Sequence, residues 1–354
     1  MTVSIPGAVG LIGLDLGEGW TITSSVNSSA ASTGGNFSMG YLASHTSGKE
    51  GFVKVINYQA IFFSPDPTAA MHAITEAYNF ERALVEKCSQ KRLSRVVSAY
   101  RHDSLLSAGQ PYPVSFIIFE RAQDDIRAVL DAASDLDLAV RLRMVHNAAA
   151  GIAQLHSIGV AHQDVKPSNL LVFSTSVTTK DSAKIGDLGR ATDPQRSARH
   201  DGYVIAGDPT YAPPEQRFGE IAATFGARRL ACDIYQLGNL LTFVLGGVTM
   251  NMLMDMYLDP SHTPRNWKGT YSEVLPYIQA AHAAGLATLD HTLDDHPLKA
   301  DLLNVVSATT DPDVTRRGHA ASHRAGQPYS MNRIVTELDL LSRRAESRYM
   351  EAAS

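Results

Sequence analysis

Three functional side chains fall close together at Asp164, Lys166 and Asn169. They stand in the stretch Val160-Ala161-His162-Gln163-Asp164-Val165-Lys166-Pro167-Ser168-Asn169-Leu170-Leu171-Val172, whose apolar ends read as short buried strands. A polar loop between hydrophobic anchors holds an acid, an amine and an amide on a rigid base, as catalytic and ligand-binding groups require. The competing reading is a polar turn between two strands. A further acid follows in Lys184-Ile185-Gly186-Asp187-Leu188-Gly189, where a strand running into Asp and Gly is also compatible with a turn. Upstream, Lys54 lies in Gly51-Phe52-Val53-Lys54-Val55-Ile56. A lysine inside a β-branched strand either faces solvent or is an inward charge with a partner, and the alternation does not decide which.

The first stretch resembles the catalytic loop of the protein kinase family, H-R-D-x-K-x-x-N, in its serine/threonine form. It keeps His162, Asp164, Lys166 and Asn169 and carries Gln163 at the arginine position. Other family elements follow in the family order over residues 20–345. Asp187-Leu188-Gly189 resembles the metal-binding D-F-G, and Gly207-Asp208-Pro209-Thr210-Tyr211-Ala212-Pro213-Pro214-Glu215 resembles G-T-P-x-Y-x-A-P-E. Asp233-Ile234-Tyr235-Gln236-Leu237-Gly238 resembles the start of the family's central buried helix. Asp311-Pro312 with Arg316 or Arg317 resembles the pair whose arginine bridges to Glu215, and Arg316 is taken for that role. Thr33-Gly34-Gly35-Asn36-Phe37-Ser38-Met39-Gly40-Tyr41 resembles the glycine-rich nucleotide lid, with only the middle glycine, Gly35, retained. Glycine suits such a lid because backbone N–H groups must approach phosphate closely.

The resemblance implies a role for each of these residues. Asp164 accepts or orients the proton of a substrate hydroxyl, and Lys166 neutralises the transferring phosphoryl group. Asn169 and Asp187 hold Mg²⁺, and Lys54, paired with a helix glutamate, holds the α- and β-phosphates of ATP. Gly34, Gly35 and Ser38 belong to the lid. Glu120 and Ala122 belong to the hinge that meets adenine, with Phe119 before them as gatekeeper. The glutamate is assigned to Glu81, with Glu76 the next candidate and Glu86 the third. All three lie on a helix from Pro67 to about Lys91, where Ala73, Ala77, Phe80, Leu84 and Cys88 recur at three- and four-residue steps. Such an assembly is coherent, since phosphoryl transfer needs alignment and charge neutralisation more than covalent help.

Behind these groups, Trp20 to Val26, Phe37 to Ala43 and Gly51 to Tyr58 read as strands, and Ser115 to Phe119 as a buried one. Asp124 or Asp125 caps a following helix. Leu136 to Ile158 reads as a long helix closed by Gly159. A polar hairpin occupies Ser174 to Ala183. The fold class implied is α+β and bilobal: a small antiparallel β-sheet N-lobe with one key helix over 20–122, and a larger, mainly helical C-lobe over 123–354. Residues 1–19 form an extension or a strand laid on the first lobe. Leu237 to Leu258 is apolar enough to suggest a membrane span. Asn239, Asn251, Asp255 and Gly246-Gly247 interrupt it, and a buried helix is expected there.

Composition narrows the function classes. With 44% hydrophobic and 19% charged residues among 354, the chain is an ordinary globular one. A net charge of -5 argues against nucleic acid as the main partner. Cys88 and Cys232, far apart, suggest a reducing compartment. Met1 to Leu16 has no Lys or Arg and so lacks the basic start of a signal peptide. The expectation is a cytoplasmic serine/threonine protein kinase using ATP and Mg²⁺ on a protein substrate, with a regulatory protein partner and no membrane. The alternative is a pseudokinase acting as a nucleotide-binding or interaction scaffold. A small-molecule kinase is a third reading, disfavoured by the full activation segment. Gln163 has no charge to pair with phosphate, so activity independent of activation-loop phosphorylation is expected. Asp208 in place of the usual threonine counts against efficient turnover, and Thr33 and Ser38 in place of lid glycines count against a tight grip on nucleotide.

Overall fold

The computed structural model describes residues 10–26, 38–58, 61, 63–106, 113–133, 136–173, 183–294 and 296–353, with side chains described up to Arg348. The chain divides into two compact units, Met1–Ala122 and Gln123–Ser354.

The first unit is built on an antiparallel sheet of six strands: β1 (Asp15–Gly17), β2 (Trp20–Val26), β3 (Ser38–His45), β4 (Glu50–Ile56), β5 (Ala99–Leu105) and β6 (Val114–Glu120), in the order β1-β2-β3-β4-β6-β5. Strand alternation puts Trp20, Ile22, Tyr41, Ala43, Val53, Val55, Phe116 and Ile118 into one apolar core. Leu11 and Leu16 complete that core, so the sheet begins before Trp20. Helix α1 (Pro67–Gln90) starts at Asp66, whose carboxylate accepts the Ala69 N–H at 2.9 Å, with Pro67 at the first helical position. Its buried stripe is Ala73, Ile74, Phe80, Leu84, Val85 and Cys88, and Glu81 lies within it.

The second unit is mainly helical. A small sheet of β7 (Asp124–Asp125), β8 (Leu170–Val172) and β9 (Ala183–Ile185) carries the functional loops. Helix α2 (Ile126–Ala132) is capped by Asp125. Helix α3 (Leu138–Ser157) buries Leu142, Met144, Val145, Ala148, Ala149, Ile152 and Leu155, and Gly159 turns the chain out of it at φ 77°. After α4 (Pro214–Arg217), a π-turn over Gly226–Leu230 leads into α5 (Ala231–Gly246), which is buried along nearly all its length. Then come α6 (Met250–Tyr257), α7 (Tyr271–Thr292), α8 (Lys299–Thr309), α9 (Ala320–Arg324) and α10 (Asn332–Ala353). Helices α5 and α8 touch closely at Gly238, where a Cβ would stand 2.5 Å from Thr309 and Thr310. The apolar run from Leu237 to Leu258 is two helices meeting at 84°, and among the described residues no single helix is long and apolar enough to cross a membrane. The chain thus adopts the expected α+β architecture, an antiparallel sheet with one principal helix followed by a helical unit.

Candidate active site

In the first unit, Lys54 Nζ meets both carboxylate oxygens of Glu81, at 2.8 and 2.9 Å. Strand pleating explains the lysine: Val53 and Val55 point into the sheet core, so Lys54 takes the opposite face. Glu81 is 7% exposed and lies on the buried stripe of α1, where an unpaired carboxylate would be costly. The other two candidates turn elsewhere. Glu76 lies near His72 at 3.8 Å and Glu86 near His102 at 3.0 Å, both with carboxylates more than 40% exposed. Ser38 opens β3 opposite Ile56. Glu120 Oε1 accepts the Ser98 N–H at 2.7 Å, and half-buried Ala122 ends the unit. Phe119 is half-buried opposite Phe52. Gly34 and Gly35 lie outside the described residues.

In the second unit, Asp164, Lys166 and Asn169 come together on one buried loop. Asp164 Oδ2 receives Lys166 Nζ and Asn169 Nδ2, each at 3.0 Å, and Oδ1 receives the Asp208 N–H at 2.8 Å. Asn169 Nδ2 also donates to the Asp164 carbonyl at 2.8 Å, closing the loop on itself. His162 Nδ1 accepts the Asp164 N–H at 3.2 Å while Nε2 donates to the Gly186 carbonyl at 2.9 Å, which sets its tautomer and ties the loop to the segment leading to Asp187. Asp187 has a left-handed backbone (φ 56°) and caps the turn Leu188–Arg190.

The segment after Asp187 is drawn against this loop. Ala161 and Thr192 exchange backbone hydrogen bonds of 3.0 and 2.8 Å. At Gly207 the approach is so close that a Cβ would lie 2.1 Å from the Gln163 carbonyl oxygen and 2.8 Å from Asp164 Oδ1. Only glycine fits there. Asp208 reaches Lys166 Nζ at 3.5 Å, so the ammonium faces two carboxylates. Burial pushes the Asp208 carboxyl up, but the hydrogen bonds from Thr210 and the Lys166 charge outweigh it and hold the group below the usual carboxylate range.

Buried helix α5 organises the loop from below. Asp233, fully buried, accepts the N–H groups of His162 and Gln163 at 2.7 Å each, His156 Nε2 at 2.8 Å and Gln163 Nε2 at 3.0 Å. Gln236 holds the next residues, accepting the Val165 N–H and donating to the Gln163 carbonyl. Of the two candidate arginines, Glu215 pairs with Arg317 and not with Arg316, the one expected in that role. Arg316 is 66% exposed and lies 3.3 Å from the Asp311 carboxylate, whereas Arg317 is fully buried. One residue further along the turn decides which side chain points inward.

Two residues at this site were not legible as functional. Asn251, an apparent interruption of an apolar run, donates to the Thr210 and Ala212 carbonyls, both at 2.9 Å. Arg229, 3% exposed, bonds Gln163 and the segment around Asp201. The adjacent Arg228-Arg229, unusual beside so apolar a helix, was the available signal.

The donor set suits a hard cation that brings its own ligands. Asn169 and Asp187 supply two oxygen-bearing side chains, and no group of three His, Cys, Asp or Glu able to hold a metal occurs among the described residues. Mg²⁺ fits that pattern, because it keeps water and phosphate oxygens around one or two protein ligands.

A family model described as protein kinase domain matches residues 34–254. Serine/threonine-protein kinase DCLK1 of Rattus norvegicus is 39% identical over 102 residues, 29% of this chain and 21% of its own length. CBL-interacting protein kinase 20 of Oryza sativa subsp. japonica is 32% identical over 120 residues, covering 32% of this chain and 24% of its own length. A dual serine/threonine and tyrosine protein kinase of Strongylocentrotus purpuratus is 30% identical over 135 residues, 38% of this chain and 12% of its own. The matched stretches therefore span under a quarter of these relatives.

Proposed function

This chain belongs to the protein kinase family, and we propose that it is a serine/threonine protein kinase transferring the γ-phosphate of Mg-ATP to a protein hydroxyl. The observation that carries the reading is the Asp164 carboxylate, buried yet oriented by Lys166, Asn169 and the Asp208 N–H. In the proposed reaction Asp164 accepts the substrate hydroxyl proton as that oxygen bonds the γ-phosphorus and the bond to the ADP oxygen breaks. Lys166 offsets charge on the transferring group. In the first unit, Lys54, held by Glu81, binds the α- and β-phosphates. Asn169 and Asp187 would hold Mg²⁺, which when bound would neutralise charge on the phosphates. The free, buried Cys88 and Cys232 support a reducing, cytoplasmic setting.

Gln163 supports activity that needs no activation-segment phosphate, since it already has neutral and cationic partners within the fold. The second reading, a nucleotide-binding scaffold, draws on the Asp208 carboxylate beside Lys166. Transfer of radiolabelled γ-phosphate from Mg-ATP to a generic protein acceptor separates the two, with Asp164→Ala as the control. Label that vanishes in Asp164→Ala supports the kinase. Mg-ATP binding without transfer supports the scaffold.

A further inference from the structure

Gln163 and Arg229 make a reciprocal contact inside the second unit. Arg229 Nη1 donates to Gln163 Oε1 at 3.1 Å, and Gln163 Nε2 donates back to the Arg229 carbonyl at 2.8 Å. The other end of the same guanidinium donates from Nη2 to the Asp201 carbonyl at 2.8 Å and to the Tyr203 carbonyl at 3.4 Å. Arg228 joins it, its Nη2 bonding those same two carbonyls at 2.9 and 3.0 Å. The two arginines share the π-turn Gly226–Leu230, a wide turn of the kind that recurs at functional positions. Like charges placed together are unfavourable, the more so here because Arg229 is buried and Arg228 half-buried. Burial, and then the Arg228 charge, pull the Arg229 pKa below the usual arginine value. Among the described residues the direct partners of Arg229 are an amide oxygen and two carbonyls, with no carboxylate in contact.

An arrangement this costly sits where it links two segments that must be in register. Gln163 has a positive φ of 67°, which aims its own N–H at Asp233 and passes the chain directly into Asp164. Gly207 packs on the Gln163 carbonyl, and Asp208 N–H bonds Asp164 Oδ1. We propose that Gln163 and Arg229 are positioning residues. Their clasp holds the segment around Asp201 and Tyr203 in register with Asp164, doing with a built-in cation and amide what a bound phosphate would otherwise have to do. This rests on the kinase reading above and names the device that makes phosphate dispensable.

The test uses the full chain after phosphatase treatment, as wild type, Gln163→Met, Arg229→Met and the double variant. Two measurements are made: steady-state kinetics with Mg-ATP and a peptide acceptor, and backbone hydrogen exchange over residues 198–208. Each single variant should lower kcat at least tenfold and leave KM for Mg-ATP within twofold. The double should be no worse than the poorer single, because the clasp is one unit. Exchange protection at the Asp201 and Tyr203 amides should fall in every variant. If Arg229→Met does not fold, Arg229→Lys, which retains the charge but not the two-ended reach, replaces it. Unchanged protection in both single variants overturns the clasp, whether or not the protein is active. Lost protection with kcat within twofold of wild type, or a loss carried by KM for Mg-ATP, overturns the positioning role. Protection lost in the variants, with a wild type that itself transfers no phosphate, leaves the clasp standing and removes the kinase reading.

Discussion

Arg317 and Glu215, 102 positions apart, form a two-bonded ion pair with Nη1–Oε1 at 2.8 Å and Nη2–Oε2 at 2.7 Å. The guanidinium lies 4.8 Å from the Tyr235 ring centre and is fully buried. Burial alone would lower its pKa, yet the charge and hydrogen bonds of Glu215 outweigh that and raise it. The pair joins α4 to the loop after α8. The remaining guanidinium N–H groups donate to the Asp311, Ala231 and Pro312 carbonyls.

Breaking that pair from one side leaves a buried carboxylate uncompensated. Arg317→Met is expected to cost about 3–5 kcal/mol in urea unfolding. Adding Glu215→Leu should restore part of the loss. Arg316→Ala, at an exposed position, should change stability by no more than about 0.5 kcal/mol. A larger effect at Arg316 than at Arg317 would reverse the assignment.

Gly207→Ala tests the close approach to the loop that carries Asp164. Its Cβ would collide with the Gln163 carbonyl and press on Asp164, so the segment must shift. Displacing a catalytic group by about 1 Å costs on the order of 100-fold in rate. The expected result is a kcat lowered by that order with Mg-ATP affinity retained, measured by steady-state kinetics and calorimetry. Wild-type kcat in the variant would show that the contact is not needed.

Lys54→Met removes the cation that Glu81 orients. A charge-assisted contact to phosphate contributes about 1.5–3 kcal/mol, so Mg-ATP should bind roughly tenfold to a hundredfold more weakly by titration calorimetry. Exposed Glu76→Gln should leave that affinity unchanged. If Glu76→Gln weakened binding as much as Glu81→Gln, the pairing would be wrong.

His282 links stability to pH. Its Nε2 donates to Thr310 Oγ1 at 2.8 Å, the hydroxyl in turn donating to the Val306 carbonyl. Burial first, then the nearby Arg317 and Arg316 charges, lower its pKa from 6.5 to about 4. Between those values the unfolded chain binds a proton that the folded chain does not. The fold is therefore at full stability above the unfolded value and loses about 1.4 kcal/mol per pH unit as pH falls toward 4. His282→Gln should flatten this part of the Tm–pH curve, and a curve of unchanged slope would exclude His282 as the source.

The spacing of Asp164, Lys166 and Asn169 was legible in the sequence because one short loop between apolar anchors carries all three. Strand and helix periodicity likewise placed Lys54 on a strand and three glutamates on one helix. Local pattern could go no further, since Glu76, Glu81 and Glu86 all satisfy helical spacing. The resemblance favoured Glu81 among them, and packing supplies the physical reason: it is the one on the buried face, where a carboxylate requires a cation. Packing also decides Arg317 over Arg316, where a single step around a turn separates the core from solvent. Gln163 could be read as the loss of an arginine charge, but not as half of a clasp, because its partner Arg229 lies 66 positions away. Short-range spacing and periodicity were enough to show which chemical groups are present and which elements carry them. The tertiary structure decided which of those groups meet, because burial makes an unpaired charge too costly to keep and so selects its partner.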